Sequence, residues 1–548
     1  MSRVLDVAIL SPTPSHPLDY GNRKRIHAVC AALAERGARI RFLLYPLEDE
    51  WRYMMPRDAC KKMRDAWHDF QIIPPSISYH ARAKGTDHTI DEWWDPALES
   101  FLKWYFERTP VDAFIVNYVY LSKALQLAPQ NCLKVLDTHD RVSGRRERLA
   151  ELGIEREWFH TTAEEEAIGI ARADLILAIK PEEAPFFESV GSAPVITLPF
   201  IEKRVDWVRE PSDQSEYLRI GMLGARNSIN VRSATRFLNQ AIPRFRDFMA
   251  PVKIVLAGTM CADLEEFAHI EDVEIFGALR DLGEFYKAID VVVGPVEHST
   301  GQKIRIGEAL AFGLPIISHA HTFEGYPPMH PWHRLADIDS VIGACIDLAF
   351  DQSELAALRA ASERSYSRQV ALIEAAVDLL VERIARFAAA DVFIVDVAKL
   401  VADPLLARHI AAMAHAAAAS SKVLILLDGE PNDACCALIR LTQSFARVWA
   451  TGEIPSGFEF PETEKIGSVD AIFARFRVGN VWLYGSADHL KKAERDTTFV
   501  LAPGLTDVAL GGAGLEGHAF PAEGLLCFGK MEHGDTGSAF RVDDVMSV

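Results

Sequence analysis

The sequence has no C-x-x-C pair among its eight cysteines, Cys30, Cys60, Cys132, Cys261, Cys345, Cys435, Cys436 and Cys527. That spacing gives neither a zinc ribbon nor a disulfide framework, and it suits buried free thiols in a reducing compartment. There is no uncharged apolar run of about 18 residues, the length a membrane-spanning helix needs. There is no basic excess either. Lys and Arg number 58 against 77 Asp and Glu, a formal net charge of −19. An acidic balance repels nucleic-acid phosphates and anionic headgroups at long range. No nucleic-acid partner is therefore expected, and membrane contact is at most peripheral. No G-x-x-x-x-G-K-[ST] occurs, which excludes a P-loop. The opening MSRVLDVAILSPTPSHP is apolar only briefly, broken by Asp6 and by prolines, unlike a signal peptide. A cytoplasmic location is the expectation.

What is present is a long, ordinary globular composition. The chain has 548 residues, 49% hydrophobic and 25% charged. One hydrophobic core stops growing at roughly 250–300 residues, so two or three domains are expected.

The pattern alternates strand and helix from the start. Asp6–Leu10 reads as a buried strand. A Pro/Gly loop follows, then a helix with Ile26, Val29, Cys30 and Leu33 at helical spacing, then a strand Arg39–Tyr45. This βαβ order predicts parallel strands. Further strands are predicted at Ala113–Asn117, Leu133–Asp137, Leu175–Ile179 and Val195–Leu198. Trp51 to Trp94 reads as a partly helical insertion. A second block predicts strands Ile220–Leu223, Lys253–Ala257, Val273–Phe276, Asp290–Val293 and Pro315–Ser318. Its helices are Val231–Ile242, Leu282–Ala288 and Ile304–Phe312. Polar Lys203–Tyr217 reads as a linker, and Ser353 to Ala389 as a long helix. A third block from Asp391 has further strand-like runs and no trusted catalytic constellation. It is expected to dock an acceptor, a carrier or a second subunit. The expected domains are residues 1–202, 203–389 and 390–548. Ligands of doubly wound lobes sit beyond the carboxyl ends of the strands, so loops just after strands are where functional residues are sought.

The densest signal is Val291 to Tyr326, VVVGPVEHSTGQKIRIGEALAFGLPIISHAHTFEGY. A strand ends at Gly294-Pro295. A small-residue loop, Ser299-Thr300-Gly301, feeds a helix that carries Lys303, Arg305 and Glu308. A helix N-terminus offers backbone N–H groups and a positive dipole end, which suits a diphosphate. Lys303 adds a cation. Glu308, a turn further on, can accept two hydrogen bonds from a ribose diol. The plainer reading is an αβ turn with surface charges.

This segment resembles the donor site of retaining glycosyltransferase family four. Many members carry G-x-G-x-K-x-K-x-x-E-A-L, then G-x-P, then E-G. Here the run is Ser299-Thr300-Gly301-Gln302-Lys303-Ile304-Arg305-Ile306-Gly307-Glu308-Ala-Leu, then Gly313-Leu-Pro315, then Glu324-Gly325. Ser299 replaces the first glycine. Thr300 stands where the broader family's first glutamate touches the sugar.

The resemblance implies an α/β, GT-B fold: two Rossmann-like lobes facing a central cleft, here with a third C-terminal α/β domain. It implies a donor site of Gly21, Gly277, Thr300, Gly301, Gln302, Lys303, Ile304 and Glu308. Glu308 would hold the ribose, and the base would pack at Gly277. His139, Arg226 and Lys303 are the residues it places at the chemistry. Arg226 would face the diphosphate, and Arg232 is a weaker second candidate. Asp19-Tyr-Gly21-Asn-Arg23 resembles the family's glycine-rich loop, where Gly21 lets backbone approach the substrates. Arg23, Lys24 and Arg25 in succession also read as a solvated helix start.

The implied activity moves a sugar from a nucleotide-sugar donor to a glycan, lipid-linked or protein acceptor. Configuration would be retained, with no metal and no cofactor beyond the donor. A polysaccharide-building role fits that activity. Two alternatives stay open: a nucleotide-sugar epimerase of similar fold, and a non-catalytic nucleotide-sugar-binding subunit, which Ser299 and Thr300 motivate. Gly512-Ala-Gly514-Leu-Glu-Gly517 also fits G-x-G-x-x-G, but poor helix material follows it, so it reads as a loop.

Overall fold

The structure is a computed structural model. It describes residues 4–47, 56–76, 87–129, 132–151, 159–206, 216–297, 301–351, 353–388, 390–402, 405–418, 422–443 and 446–455, and the stretches 464–466, 478–484, 498–501, 525–534 and 537–547. Two compact units result: residues 1–128 with 134–380, and 129–133 with 381–548.

The first unit holds two α/β lobes. Lobe one is a seven-stranded sheet of β1 (Asp6–Ser11), β2 (Arg39–Leu44), β3 (Asp69–Ile72), β4 (Ala113–Asn117), β5 (Leu133–Asp137), β6 (Leu175–Ala178) and β7 (Val195–Thr197). Their order is β3-β2-β1-β4-β5-β6-β7. β1 pairs in parallel with both β2 and β4. The strand order reverses there, so the crevice for a ligand opens beyond the carboxyl ends of β1 and β4. The stretch read as an insertion supplies a helix, Arg57–Ala66, and also β3, which extends the sheet at its edge.

Lobe two repeats the plan with β8 (Leu218–Leu223), β9 (Val252–Ala257), β10 (Val273–Gly277), β11 (Val291–Gly294) and β12 (Ile316–Ser318). Their order is β10-β9-β8-β11-β12, and every pairing is parallel. The reversal lies between β8 and β11. The loops after those two strands carry Arg226 and the Gly301–Lys303 segment. Both faces of the sheet are covered. Phe237, Leu238, Ile254 and Val291 share one core with Ile342. Phe285, Tyr286, Ile306, Leu310 and Phe323 form the other. Double-sided burial explains why these strands read as continuous apolar runs.

Gly258, just after β9, has φ +92°, and a Cβ there would lie 2.2 Å from the Gly224 carbonyl oxygen. Gly258→Ala is expected to destabilise the unit by about 3 kcal/mol, through backbone strain plus overlap. Thermal unfolding of the variant checks this.

The helix Ser353–Ala388 spans the residues at which the two units divide. Its earlier part returns to lobe one, where Arg36 pairs with Glu374 and, at 2.6 Å, with Asp378.

The second unit is built on β13 (Ala390–Asp396), β14 (Lys422–Asp428), β15 (Ala446–Ala450), β16 (Glu464–Lys465), β17 (Val478–Tyr484), β18 (Thr498–Leu501), β19 (Leu525–Gly534) and β20 (Gly537–Ser547). The order is β16-β15-β14-β13-β17-β18-β19-β20. Pairing is parallel up to β18, then antiparallel through β19 and β20. Helices Leu406–Ala418 and Asp433–Thr442 cover Phe393, Ile425 and Leu427. Cys435 and Cys436 are packing residues of that core. The Gly512–Gly517 loop lies outside the described residues. Among the described residues no helix is long and apolar enough to cross a membrane.

Candidate active site

The site is a cavity of about 400 Å³ lined by both lobes. Thr13 follows β1, Tyr118 and Tyr120 follow β4, and His139 and Asp140 follow β5. Gly21 and Asn22 open the first helix, and Gly301, Gln302 and Ile304 come from lobe two. Four of the residues expected at the donor site, Gly21, Gly301, Gln302 and Ile304, therefore meet around one space with His139, expected at the chemistry. Thr300, with Ser299, lies outside the described residues.

The loop after β11 enters the helix Ile304–Ala311 at Lys303, the N-cap, with no side-chain capping bond. The first N–H groups of a helix need partners from outside it. Gly301 at φ +65° makes the turn, where a Cβ would lie 3.5 Å from the His139 carbonyl oxygen. Gln302 is buried. It accepts from the Phe200 N–H at 2.9 Å and donates to the Gly325 carbonyl at 3.1 Å. These bonds fasten the loop to lobe one and to the Glu324-Gly325 turn.

Lys303 points inward and donates from Nζ to the Gly301 carbonyl at 2.8 Å. Burial, with Lys180 nearby, lowers its pKa to about 7, against the pull of Glu324, Glu183 and Asp140. Glu183 is pushed up to about 7 by burial. Lys180 lies 2.6 Å from Glu324, and Glu324 also meets His321 Nδ1 at 3.1 Å. Those partners hold the Glu324 carboxyl down at about 2, in spite of its burial. The loop thus sits on a dense ionic cluster fed by both lobes.

Glu308 is buried, and its carboxylate is fully engaged. Arg305 Nη1 donates to both oxygens at 2.8 and 2.6 Å, Lys24 Nζ lies 2.6 Å from Oε1, and Tyr286 Oη donates at 3.1 Å. The cations keep it ionised, with its pKa lowered although burial opposes that. Lys24 comes from lobe one, so this is an interlobe bridge. A few residues away, a Cβ on Gly21 would lie 2.5 Å from Ile304 Cδ1. The glycine is needed because the lobes touch there.

The basic triplet departs from the solvated helix start that its sequence suggests. Arg25 is 1% exposed and binds Asp137 Oδ1 at 2.8 Å and the Leu198 carbonyl at 2.6 Å. Arg23 is also buried and paired with Asp19 at 2.9 Å. For Arg25 only long-range partners make such burial tolerable, and those partners are invisible to a local reading.

His139 has φ +60°, uncommon for a residue with a side chain. Its ring stacks on Tyr118 at 4.0 Å, and burial lowers its pKa to about 4, so it is neutral at physiological pH. Gly277, φ +71°, ends β10 with nothing within 4 Å of where a Cβ would be. That is open space a nucleobase could use. Arg226 is exposed, its guanidinium held by Asp263 at 2.7 and 2.9 Å. Sequence reasoning missed Lys24, Lys180, Tyr118 and Glu183. Lys180 and Tyr118 each follow a strand, which was the available signal.

Residues 218–328 match the family model described as "Glycosyl transferases group 1". Lobe two carries a group 1 glycosyltransferase domain. The match spans β8 through β12, and so contains Arg226, Gly277, Lys303 and Glu308. No curated protein matches the chain. Among solved structures, a sucrose-phosphate synthase from Thermosynechococcus elongatus is similar at 16% identity and TM-score 0.47, over 69% of this chain and 98% of that one. An Anabaena protein, Alr3699/HepE, solved with UDP and glucose, is similar at 12% identity and TM-score 0.47, over 69% and 100%. A trehalose-6-phosphate synthase, OtsA, is similar at 9% identity and TM-score 0.49, over 70% and 99%.

Proposed function

We propose that the protein transfers a sugar from a nucleotide-sugar donor, held by the glycosyltransferase domain, to an acceptor that enters from lobe one. The observation that carries this is the uncapped helix start at Lys303, whose neighbours Gly301, Gln302 and Ile304 face Gly21 and His139 across one cavity. Departure of a nucleoside diphosphate concentrates negative charge on its phosphates. Donors fixed before the reaction stabilise that charge without reorganising. The N–H groups of Ile304 and Arg305 and the Lys303 ammonium are such donors. Glu308 accepts the ribose hydroxyls once Lys24 has been drawn away. Arg226 adds charge at the outer phosphate.

The reacting sugar then lies against His139. Positive charge develops on its anomeric carbon in the transition state. A neutral imidazole offers hydrogen bonding there without repelling that charge. Retention, independence of metal, and a saccharide, lipid-linked or protein acceptor rest on the resemblance to family four. A cytoplasmic location and a polysaccharide-building role complete the reading.

Radiolabelled nucleotide sugars incubated with a panel of acceptors test it. Label is expected in acceptor product, with unchanged anomeric configuration and undiminished yield in EDTA. Epimerised sugar with no acceptor product would favour the epimerase alternative. Binding without turnover of any kind would favour the non-catalytic subunit.

A further inference from the structure

The His139 ring is held by a hydrogen-bond relay that starts two strands away. Asn117, the last residue of β4, is buried. Its Nδ2 donates to the Leu10 carbonyl of β1 at 2.9 Å, and its Oδ1 lies 2.7 Å from His139 Nε2. A carbonyl can only accept. Turning the amide over would set Asn117 Oδ1 against the Leu10 oxygen, two acceptors face to face. The Leu10 carbonyl therefore fixes which way the amide points. Asn117 Oδ1 is left facing the imidazole, and it demands a proton on Nε2.

A neutral imidazole carries one proton. With that proton on Nε2, Nδ1 holds a lone pair. Among the described residues no hydrogen bond ends on Nδ1, and the ring lines the cavity. Tyr118, the neighbour of Asn117, stacks flat on the ring at an interplanar angle of 13°. The Tyr118 N–H donates to the Asp137 carbonyl at 2.8 Å, which ties the ends of β4 and β5 together. The charged groups acting on the ring are Asp137, Arg25 and Asp140. Asp137 is itself paired with Arg25 at 2.8 Å.

We propose that Asn117 is a positioning residue that locks His139 in the Nε2–H tautomer, so that Nδ1 accepts a hydrogen bond from a hydroxyl of the donor sugar. This rests on the reading of the cavity as the sugar site. It assigns the site a requirement: the sugar must present a hydrogen-bond donor such as a hydroxyl, not an ether or a deoxy carbon, to His139. An Nδ1–H tautomer would present a donor and reverse that preference.

The tautomer is read directly on the full-length, ligand-free protein by long-range 1H–15N correlation with 15N-histidine, and His139 is assigned by comparison with His139→Gln. At pH 7 Nε2 is expected to resonate as a protonated nitrogen and Nδ1 as an unprotonated one. Protonation at Nδ1, alone or with Nε2, would overturn the assignment. Asn117→Leu keeps the volume but removes the acceptor at His139 Nε2, and is expected to let His139 populate the Nδ1–H tautomer at pH 7. An unchanged spectrum in that variant would also overturn it. The sugar contact is tested by calorimetry with the tightest-binding nucleotide sugar and its monodeoxy analogues. One deoxy position is expected to cost wild type about five- to tenfold in Kd, the worth of one neutral hydrogen bond. That ratio should collapse toward one in His139→Gln. Equal binding of all analogues would defeat the sugar contact. Absence of sugar transfer with the tautomer as stated would defeat the proposed function and leave the role of Asn117 standing.

Discussion

Lys303→Ala is expected to weaken nucleotide-sugar binding about 100-fold and to lower kcat/KM by about 10³, because it removes a desolvated cation aimed at the diphosphate. The size follows from burial. An exposed lysine is screened by water, whereas Lys303 is half-buried, with its pKa brought down to about 7. The depression carries a pH signature. The ammonium is present below about pH 7 and is lost above it, so the binding-competent fraction falls tenfold per unit on the alkaline side. Affinity for a nucleotide sugar, whose diphosphate does not titrate near neutrality, should drop about tenfold between pH 6 and pH 8. Glu183 acts in the same direction, because its pKa is raised to about 7 and it gains negative charge in that window. For stability the sign is opposite. Between about 7 and the ordinary value of 10.5 the unfolded chain binds the proton that folded Lys303 has released, so this group makes stability rise with pH there. Calorimetric titration at several pH values, with Lys303→Ala as a reference that keeps only the Glu183 dependence, isolates the Lys303 contribution. A pH-independent wild type would contradict the charge assignment.

Replacing Glu308 is the second large perturbation, and it strikes stability as well as binding. The carboxylate is 3% exposed and neutralises Arg305 and Lys24. Glu308→Ala leaves Arg305 without its partner and Lys24 with Glu202 alone, a loss of about 3 kcal/mol, at the low end of what deleting one partner of a buried pair costs. A lowered denaturation midpoint with unchanged slope would report it. Glu308→Gln keeps the volume and one acceptor oxygen, and is expected to fold. It should still weaken nucleoside diphosphate binding about tenfold, since an amide accepts less strongly than a carboxylate from the ribose diol. Lys24→Met moves affinity the other way. Lys24 competes with ribose for the same oxygens, so its removal should tighten nucleoside diphosphate binding several-fold. If Lys24→Met weakens binding, Lys24 is a ligand-facing group, and the competition account is wrong.

How much of this was legible in the chain depended on distance. Strands buried on both faces, such as Ala113–Asn117 and Leu133–Asp137, are continuous apolar runs, and their predicted bounds coincide with the structure. The helix starting at Ile304 was marked at both ends, by the small-residue loop and by Gly313, which takes φ +68°. β3 was missed. DFQI is short and half-buried at a sheet edge, so its pattern differs little from a loop. The antiparallel pair β19 and β20 was missed for a like reason: GKMEHG and FRVDDV carry charges through the run. At the site, the loop, Gly21 and His139 could be named because each follows a strand or opens a helix. The ionic bridges could not. Glu308 and Lys24 are 284 positions apart, and Arg25 and Asp137 are 112 apart. No local window contains both members. A charged helix start reads as solvated until the fold supplies the opposite charge.

The central claim is that the diphosphate of a nucleotide sugar sits at the start of the helix Ile304–Ala311. A crystal structure with a nucleoside diphosphate, chosen from uridine, guanosine, adenosine, cytidine and thymidine diphosphates by thermal shift, tests it most directly. The account predicts phosphate oxygens on the Ile304 and Arg305 N–H groups and on Lys303 Nζ. The ribose diol should lie on Glu308 in place of Lys24, and the base beside Gly277. A nucleotide bound elsewhere, or one that leaves the Lys24–Glu308 bridge closed and Lys303 on the Gly301 carbonyl, would contradict it.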